Sequence, residues 1–253
     1  MRTSLLFSFI VPVASLLSKN FVNRPRLYST KLAYKKLNAF EPKNPHQEEY
    51  MKMLDSNNYE LIIATGSAGT GKTLFACQCA VKELFNGTKD KIIITRPIVP
   101  VEEDLGYLPG TINKKMDPWT RPIMDTFNDF HSKNNIKNML KDNTIEISPL
   151  AFMRGRTFKN AFIIADEMQN CSPNQMLMLL TRLGENSKLV ITGDLNQCDK
   201  ENSGLKDLIE RLHLYYYPKI KLMKKDNIGM IEFNSDDVLR SEMVNKILKI
   251  YNE

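Results

Sequence analysis

Cysteine and histidine are scarce in this 253-residue chain, four and three respectively, and there is a single tryptophan. Cys77, Cys79, Cys171 and Cys198 form no CxxC pair, and no histidine stands at ligand spacing from them, which argues against a zinc site or a disulfide framework. They read as buried free thiols. Glycine and proline number only 11 and 12, so collagen-like and low-complexity chains are excluded. With 42% hydrophobic and 25% charged residues the composition is globular, and the length is ample for one large domain. The apolar stretch Leu5 to Leu17 has 13 residues and contains Pro12. A spanning helix needs roughly 20, so no stable membrane span is expected.

Acidic residues are absent before Glu41, whereas Arg2, Lys19, Arg24, Arg26, Lys31, Lys35 and Lys36 precede it. The formal charge of +6 is therefore local: without these seven, 28 basic residues face 29 acidic ones, a net of −1. The basic excess says nothing about a nucleic-acid footprint on the folded body. A basic start, a short apolar stretch and an acid-free segment read as targeting. Arg24-Pro-Arg-Leu-Tyr-Ser29 resembles a mitochondrial processing site with cleavage between Tyr28 and Ser29. Import into an organelle, the mitochondrion first, is the expectation; a plastid presequence, a secretory signal peptide or a flexible terminus in a cytoplasmic protein are the alternatives. The division expected is residues 1–37 as this segment and 38–253 as one domain.

From residue 38 onward short β-rich runs alternate with helical periodicity: Glu60–Thr65, Lys91–Thr95, Ile145–Ser148, Ala161–Ala165, Lys188–Thr192 and a late Ile231–Phe233. Leu74–Phe85 and Gln175–Leu183 have helical character, residues 98–143 hold one or two helices, and Val238 to Tyr251 carries a final apolar helix face. Such alternation predicts an α/β fold, a three-layer parallel sheet with ligands at the carboxyl ends of the strands.

Gly66-Ser67-Ala68-Gly69-Thr70-Gly71-Lys72-Thr73 is a full G-x-x-x-x-G-K-[ST] pattern between a β run and a helix. The glycines let successive N–H groups face a phosphate at a helix N-terminus. Lys72 supplies a point charge to the β- and γ-phosphates, and the Thr73 hydroxyl helps hold Mg²⁺. The apolar run Ala161–Ala165 delivers Asp166 to the sheet edge as a metal-binding carboxylate, with Glu167 next to it to activate water. A further strand, Lys91–Thr95, lies between these two motifs, matching the P-loop division with an additional strand and a catalytic glutamate. Positioned water implies hydrolysis rather than transfer to an acceptor. Lys188–Asp199 ends a third strand in Gly193-Asp194, and Gln197 follows as a γ-phosphate sensor.

In these motifs the chain resembles the PhoH family of P-loop ATPases over roughly residues 40–252. Thr95-Arg-Pro97, Leu105–Gly110, Arg121-Pro122, Ser148–Thr157, Asp166–Asn170, Thr181–Gly184 and Asp237-Val-Leu-Arg240 stand in that family's order. The resemblance implies a RecA-like core that binds ATP with Mg²⁺ and hydrolyses it, with coupling to RNA or single-stranded DNA in some members. An ATP-controlled protein-interaction switch with slow or no turnover is the alternative. It also implies Gln47 as an adenine reader and Arg240 as an arginine finger. Arg154 and Arg156 are implied as contacts to γ-phosphate or nucleic-acid backbone. Trp119 is a packing anchor or a base-stacking residue. Ser67 and Met168 stand where the family often has Pro and Ala; neither change removes a catalytic group. Because only one motor lobe fits the chain, a homo-oligomer, a ring for example, is expected to bring Arg240 to a neighbour's nucleotide.

Overall fold

The computed structural model describes residues 40–97, 121–198 and 202–238, apart from 122 and 131, together with Met243, Lys246, Ile247 and Ile250. The proposed targeting segment, Leu105–Gly110, Trp119 and Arg240 lie outside the described residues. Six parallel strands, β1 (Leu61–Gly66), β2 (Lys91–Thr95), β3 (Ile145–Ile147), β4 (Ala161–Ala165), β5 (Lys188–Gly193) and β6 (Ile228–Phe233), form one sheet in the order β3-β2-β4-β5-β1-β6.

Strand periodicity of two sorts the side chains onto two buried faces. Ile62, Ala64, Ile92, Ile94, Phe162, Ile164 and Val190 pack beneath α1 (Pro45–Asp55), α2 (Lys72–Phe85), α3 (residues 123–130) and α4 (Lys133–Lys141). Ile63, Ile93, Ile163, Leu189 and Ile191 meet α5 (Pro173–Leu180) and α6 (Gly204–Tyr216) on the other face. A short α7 (Leu222–Lys225) leads into β6. Burial on both sides explains why these strands read as continuous apolar runs rather than alternating ones.

The helices start where local chemistry satisfies their free amides. Asn44 accepts a bond from the Gln47 N–H at 2.8 Å, with Pro45 at the first turn of α1. Ser172 and Gln175 form a reciprocal capping box on α5, so that helix begins two residues before the expected Gln175 and ends at Leu180. β6 starts at Ile228 because it pairs along the whole of β1, a long-range partnership invisible to a local apolar count.

One expectation is corrected. The strand interposed between the P-loop strand β1 and the acidic strand β4 is β5, not Lys91–Thr95, which lies on the far side of β4. Order along the chain is not order in a sheet built by crossovers.

Candidate nucleotide site

β1 ends at Gly66, where φ is +124° and an added Cβ would meet the Phe233 carbonyl oxygen at 2.1 Å. Only glycine lets the chain turn away from β6 so closely. The loop ends at Gly71, φ +90°, the N-cap of α2, which offers no side-chain cap. The first turn of α2 contains no acid, so no side chain of the helix itself competes for its first N–H groups.

This loop is braced from behind. Gln47, 1% exposed, donates from Nε2 to the Thr70 carbonyl at 3.0 Å, and its Oε1 accepts the Lys43 N–H at 2.8 Å. The Tyr50 hydroxyl donates to the Lys72 carbonyl at 3.1 Å. The structure thus gives the Gln47 amide to the loop backbone and not to the cleft. Lys72, buried, donates to the Gly66 and Ser67 carbonyls at 2.7 Å each, and the Thr70 hydroxyl lies 3.3 Å from it. Burial pushes its ammonium pKa down from the usual lysine value, while Asp194, Glu167 and Asp166 pull the other way.

Strand β4 brings Asp166 against the loop. One carboxylate oxygen accepts both the Thr73 hydroxyl, at 2.7 Å, and the Thr192 hydroxyl, at 2.6 Å. Glu167 has φ +54°, a left-handed conformation that costs a non-glycine residue about 1–3 kcal/mol. The buried Gln169 holds it there, donating from Nε2 to Glu167 Oε2 at 2.5 Å and accepting the Asp194 N–H at 3.1 Å. Arg96 lies 3.8 Å from the other oxygen of Glu167. A side chain on Gly193 would sit 2.8 Å from Gln169 Oε1, so the glycine keeps room for this amide.

Ala68, Gly69, Gly71, Lys72, Thr73, Asp166, Glu167, Thr192, Gly193, Asp194 and Gln197 together line a cleft of about 250 Å³ at the carboxyl ends of β1, β4 and β5. The structure therefore brings the three sequence motifs into one site. It leaves others elsewhere. Arg156 makes a two-pronged ion pair with Glu146 and lies over the Phe158 ring at 4.7 Å from its centroid. The Arg156 guanidinium holds the Glu146 carboxyl below the usual glutamate range. Arg154 is exposed on the turn after the 3₁₀ segment Leu150–Met153 and is not part of the cleft lining. Cys77, Cys79 and Cys171 are buried free thiols, and burial pushes Cys77 and Cys79 well above the ordinary thiol pKa.

Sequence reasoning missed Thr192 and the bridging function of Gln169. Their signal was present, a Thr at the last turn of a strand and an amide three residues beyond Asp166, but neither type implies its partner without a third coordinate. Asp237, part of the C-terminal motif, makes contacts of its own. It is buried, accepts the Asn234 N–H at 2.8 Å and lies 2.7 Å from His46 Nδ1, joining the residues after β6 to the start of α1.

A parallel sheet in this strand order, with a glycine-rich loop on β1 and acids on a strand two positions away, defines a P-loop NTPase domain with a RecA-like core, a nucleotide-binding fold. The chain belongs to the PhoH-like protein family, whose sequence model matches residues 39–252. It is 42% identical over 207 residues to the PhoH-like protein of Bacillus subtilis, covering 82% of this chain and 62% of that one. It is 38% identical to protein PhoH of Escherichia coli, covering 83% and 57%. The chain thus spans about 60% of the length of these curated relatives. Among solved structures, it is similar to the large terminase of a thermophilic bacteriophage, with TM-score 0.48 and 13% identity over 83% of this chain and 50% of that one. It is also similar to the Pif1 helicase of Candida albicans, with TM-score 0.39 and 15% identity over 84% and 44%.

Proposed function

We propose that this domain is a Mg²⁺-dependent ATPase. The observation that carries the reading is the single Asp166 oxygen shared by the Thr73 and Thr192 hydroxyls at the mouth of the glycine-rich loop, with Glu167 held beside it. Three oxygen donors of this kind suit a hard cation, and Thr73 with Asp166 would hold magnesium, directly or through its water. When bound, the ion neutralises charge on the phosphate oxygens. The chain's own residues do the rest. Amides of the loop and of the first turn of α2 bind the phosphate tail, and the Lys72 ammonium leaves the loop carbonyls to join them. Glu167 orients a water against the terminal phosphorus and takes its proton as the new P–O bond forms. The bond to the bridging oxygen breaks, leaving ADP and inorganic phosphate. Gln197, also in the cleft lining, contacts the terminal phosphate or that water.

The test separates binding from chemistry. Glu167→Gln keeps nucleotide affinity, measured with a fluorescent ATP analogue, and loses phosphate release; normal turnover in that variant refutes the assignment. Assembly belongs to the same proposal, with Arg240 of one copy reaching the next copy's nucleotide. Specific activity then rises with protein concentration, and turnover that is flat across a hundred-fold range refutes it.

A further inference from the structure

The sequence between Glu210 and Asp226 contains Arg211, His213, Lys219, Lys221, Lys224 and Lys225 and no acid. In a body whose overall charge is close to zero, this concentrates positive charge in one place. The segment spans the last turns of α6, a turn and α7. It is anchored by two inward residues. The Tyr216 ring is buried and its hydroxyl donates to Asp226 at 2.7 Å, while Met223 is buried beneath α7. These anchors turn the neighbours outward: Tyr215 and Tyr217 are 80% and 79% exposed. Tyr215 is backed edge-on by the Tyr216 ring at 4.9 Å, which fixes its plane while leaving a face to solvent. Lys219, Lys221, Lys224 and Lys225 are exposed and make no ion pair among the described residues, whereas Arg211 is paired with Asp207 at 2.8 Å. Asp226, the acid that follows Lys225 in sequence, accepts the Tyr216 hydroxyl. Tyr215 also lines a shallow groove with Leu208, Arg211, Leu212 and Leu214.

We propose that this surface, built from Tyr215, Tyr217, Lys219, Lys221, Lys224 and Lys225, binds single-stranded nucleic acid. Its charge is complementary to a phosphate backbone, and the four exposed lysines make no ion pair among the described residues. The two tyrosines offer flat faces on which unpaired bases stack, a contact that tolerates any sequence. A duplex keeps its bases inside and cannot use them. The surface lies at the amino-terminal edge of the sheet, because Ile228 follows α7 and pairs level with Leu61 at the start of β1. The nucleotide cleft is at the opposite edge, so the surface stands whether or not the cleft hydrolyses ATP.

The experiment follows binding of a labelled 20-nucleotide oligouridine RNA to the full chain by fluorescence anisotropy, without nucleotide, from about 50 to 200 mM salt. Four phosphate contacts add about −3 to the slope of log affinity against log salt, or roughly 50-fold over that range. The variant K219Q/K221Q/K224Q/K225Q loses this part of the slope and most of the affinity. Tyr215→Leu with Tyr217→Leu weakens binding about ten-fold or more at unchanged slope, and Tyr→Phe at both positions restores it. Unaltered binding of the fluorescent ATP analogue shows that each variant is folded. RNA affinity equal to wild type in the lysine variant overturns the proposal, as does absence of RNA binding in the wild type. So does a loss confined to binding of phosphatidylserine-containing vesicles, or to self-association by sedimentation, with RNA affinity intact.

Discussion

Replacing Gln169 with leucine removes two bonds from a side chain that is 1% exposed: the donation to Glu167 and the acceptance of the Asp194 N–H. Glu167 is 37% exposed and can turn to water, so its carboxylate loses little. The Asp194 amide sits on a buried residue, and an unsatisfied group of that kind costs about 1–3 kcal/mol. For a domain of about 200 residues each kcal/mol moves Tm by roughly 2–4 °C, so a fall of about 2–12 °C is expected. The larger effect falls on chemistry. Freed from Gln169, Glu167 relaxes from its left-handed conformation, and a displacement of about 1 Å at a reacting group is worth about 10²-fold in rate. Nucleotide affinity stays within about three-fold, since no loop contact involves Gln169. Phosphate release, analogue binding and thermal melting measure all three quantities. Wild-type turnover with wild-type Tm in Gln169→Leu would refute the reasoning.

Two further tests bear on the loop and on the residues around it. Lys72→Ala removes a charge-assisted contact worth about 1.5–3 kcal/mol, so analogue binding weakens about 10- to 150-fold while Tm changes little, as judged by titration and melting. Arg156→Leu examines the ion pair that replaced an expected phosphate contact. Because Glu146 is held below its usual pKa in the folded chain, the pair's contribution is fully present above the unfolded value of about 4.3 and disappears as pH falls through the folded one. Urea unfolding of both proteins between pH 7 and pH 3 should show curves that separate at neutral pH and converge at the acid end. A constant separation would mean that Arg156 stabilises through its packing on Phe158 alone.

Much of the fold and the heart of the site were legible along the chain. Each of β2 and β4 spans the residues its apolar run suggested, because an unbroken run of large apolar side chains marks a strand buried on both faces. The glycine-rich loop was legible because contiguous backbone makes it: Gly66, Gly71, Lys72 and Thr73 act through neighbours in sequence. Asp166 and Glu167 were legible because a strand terminus delivers whatever follows it to the sheet edge. Arg156 stands out along the chain by its charge alone, whereas its partner Glu146, ten residues away on β3, shows only in the fold.

What the linear chain determined by itself, then, is every feature that depends on local geometry: the strands, the phosphate loop, the acid pair and the family they mark. The tertiary structure decided what depends on which strands are neighbours. It set β5 between β1 and β4, which brings Thr192 to Asp166 and Gln169 to Asp194. It turned Gln47 inward onto the Thr70 carbonyl, and it turned Tyr215 and Tyr217 outward beside four lysines. A side chain's partner is chosen by the packing of distant segments, and burial of the shared core, not adjacency, fixes that packing.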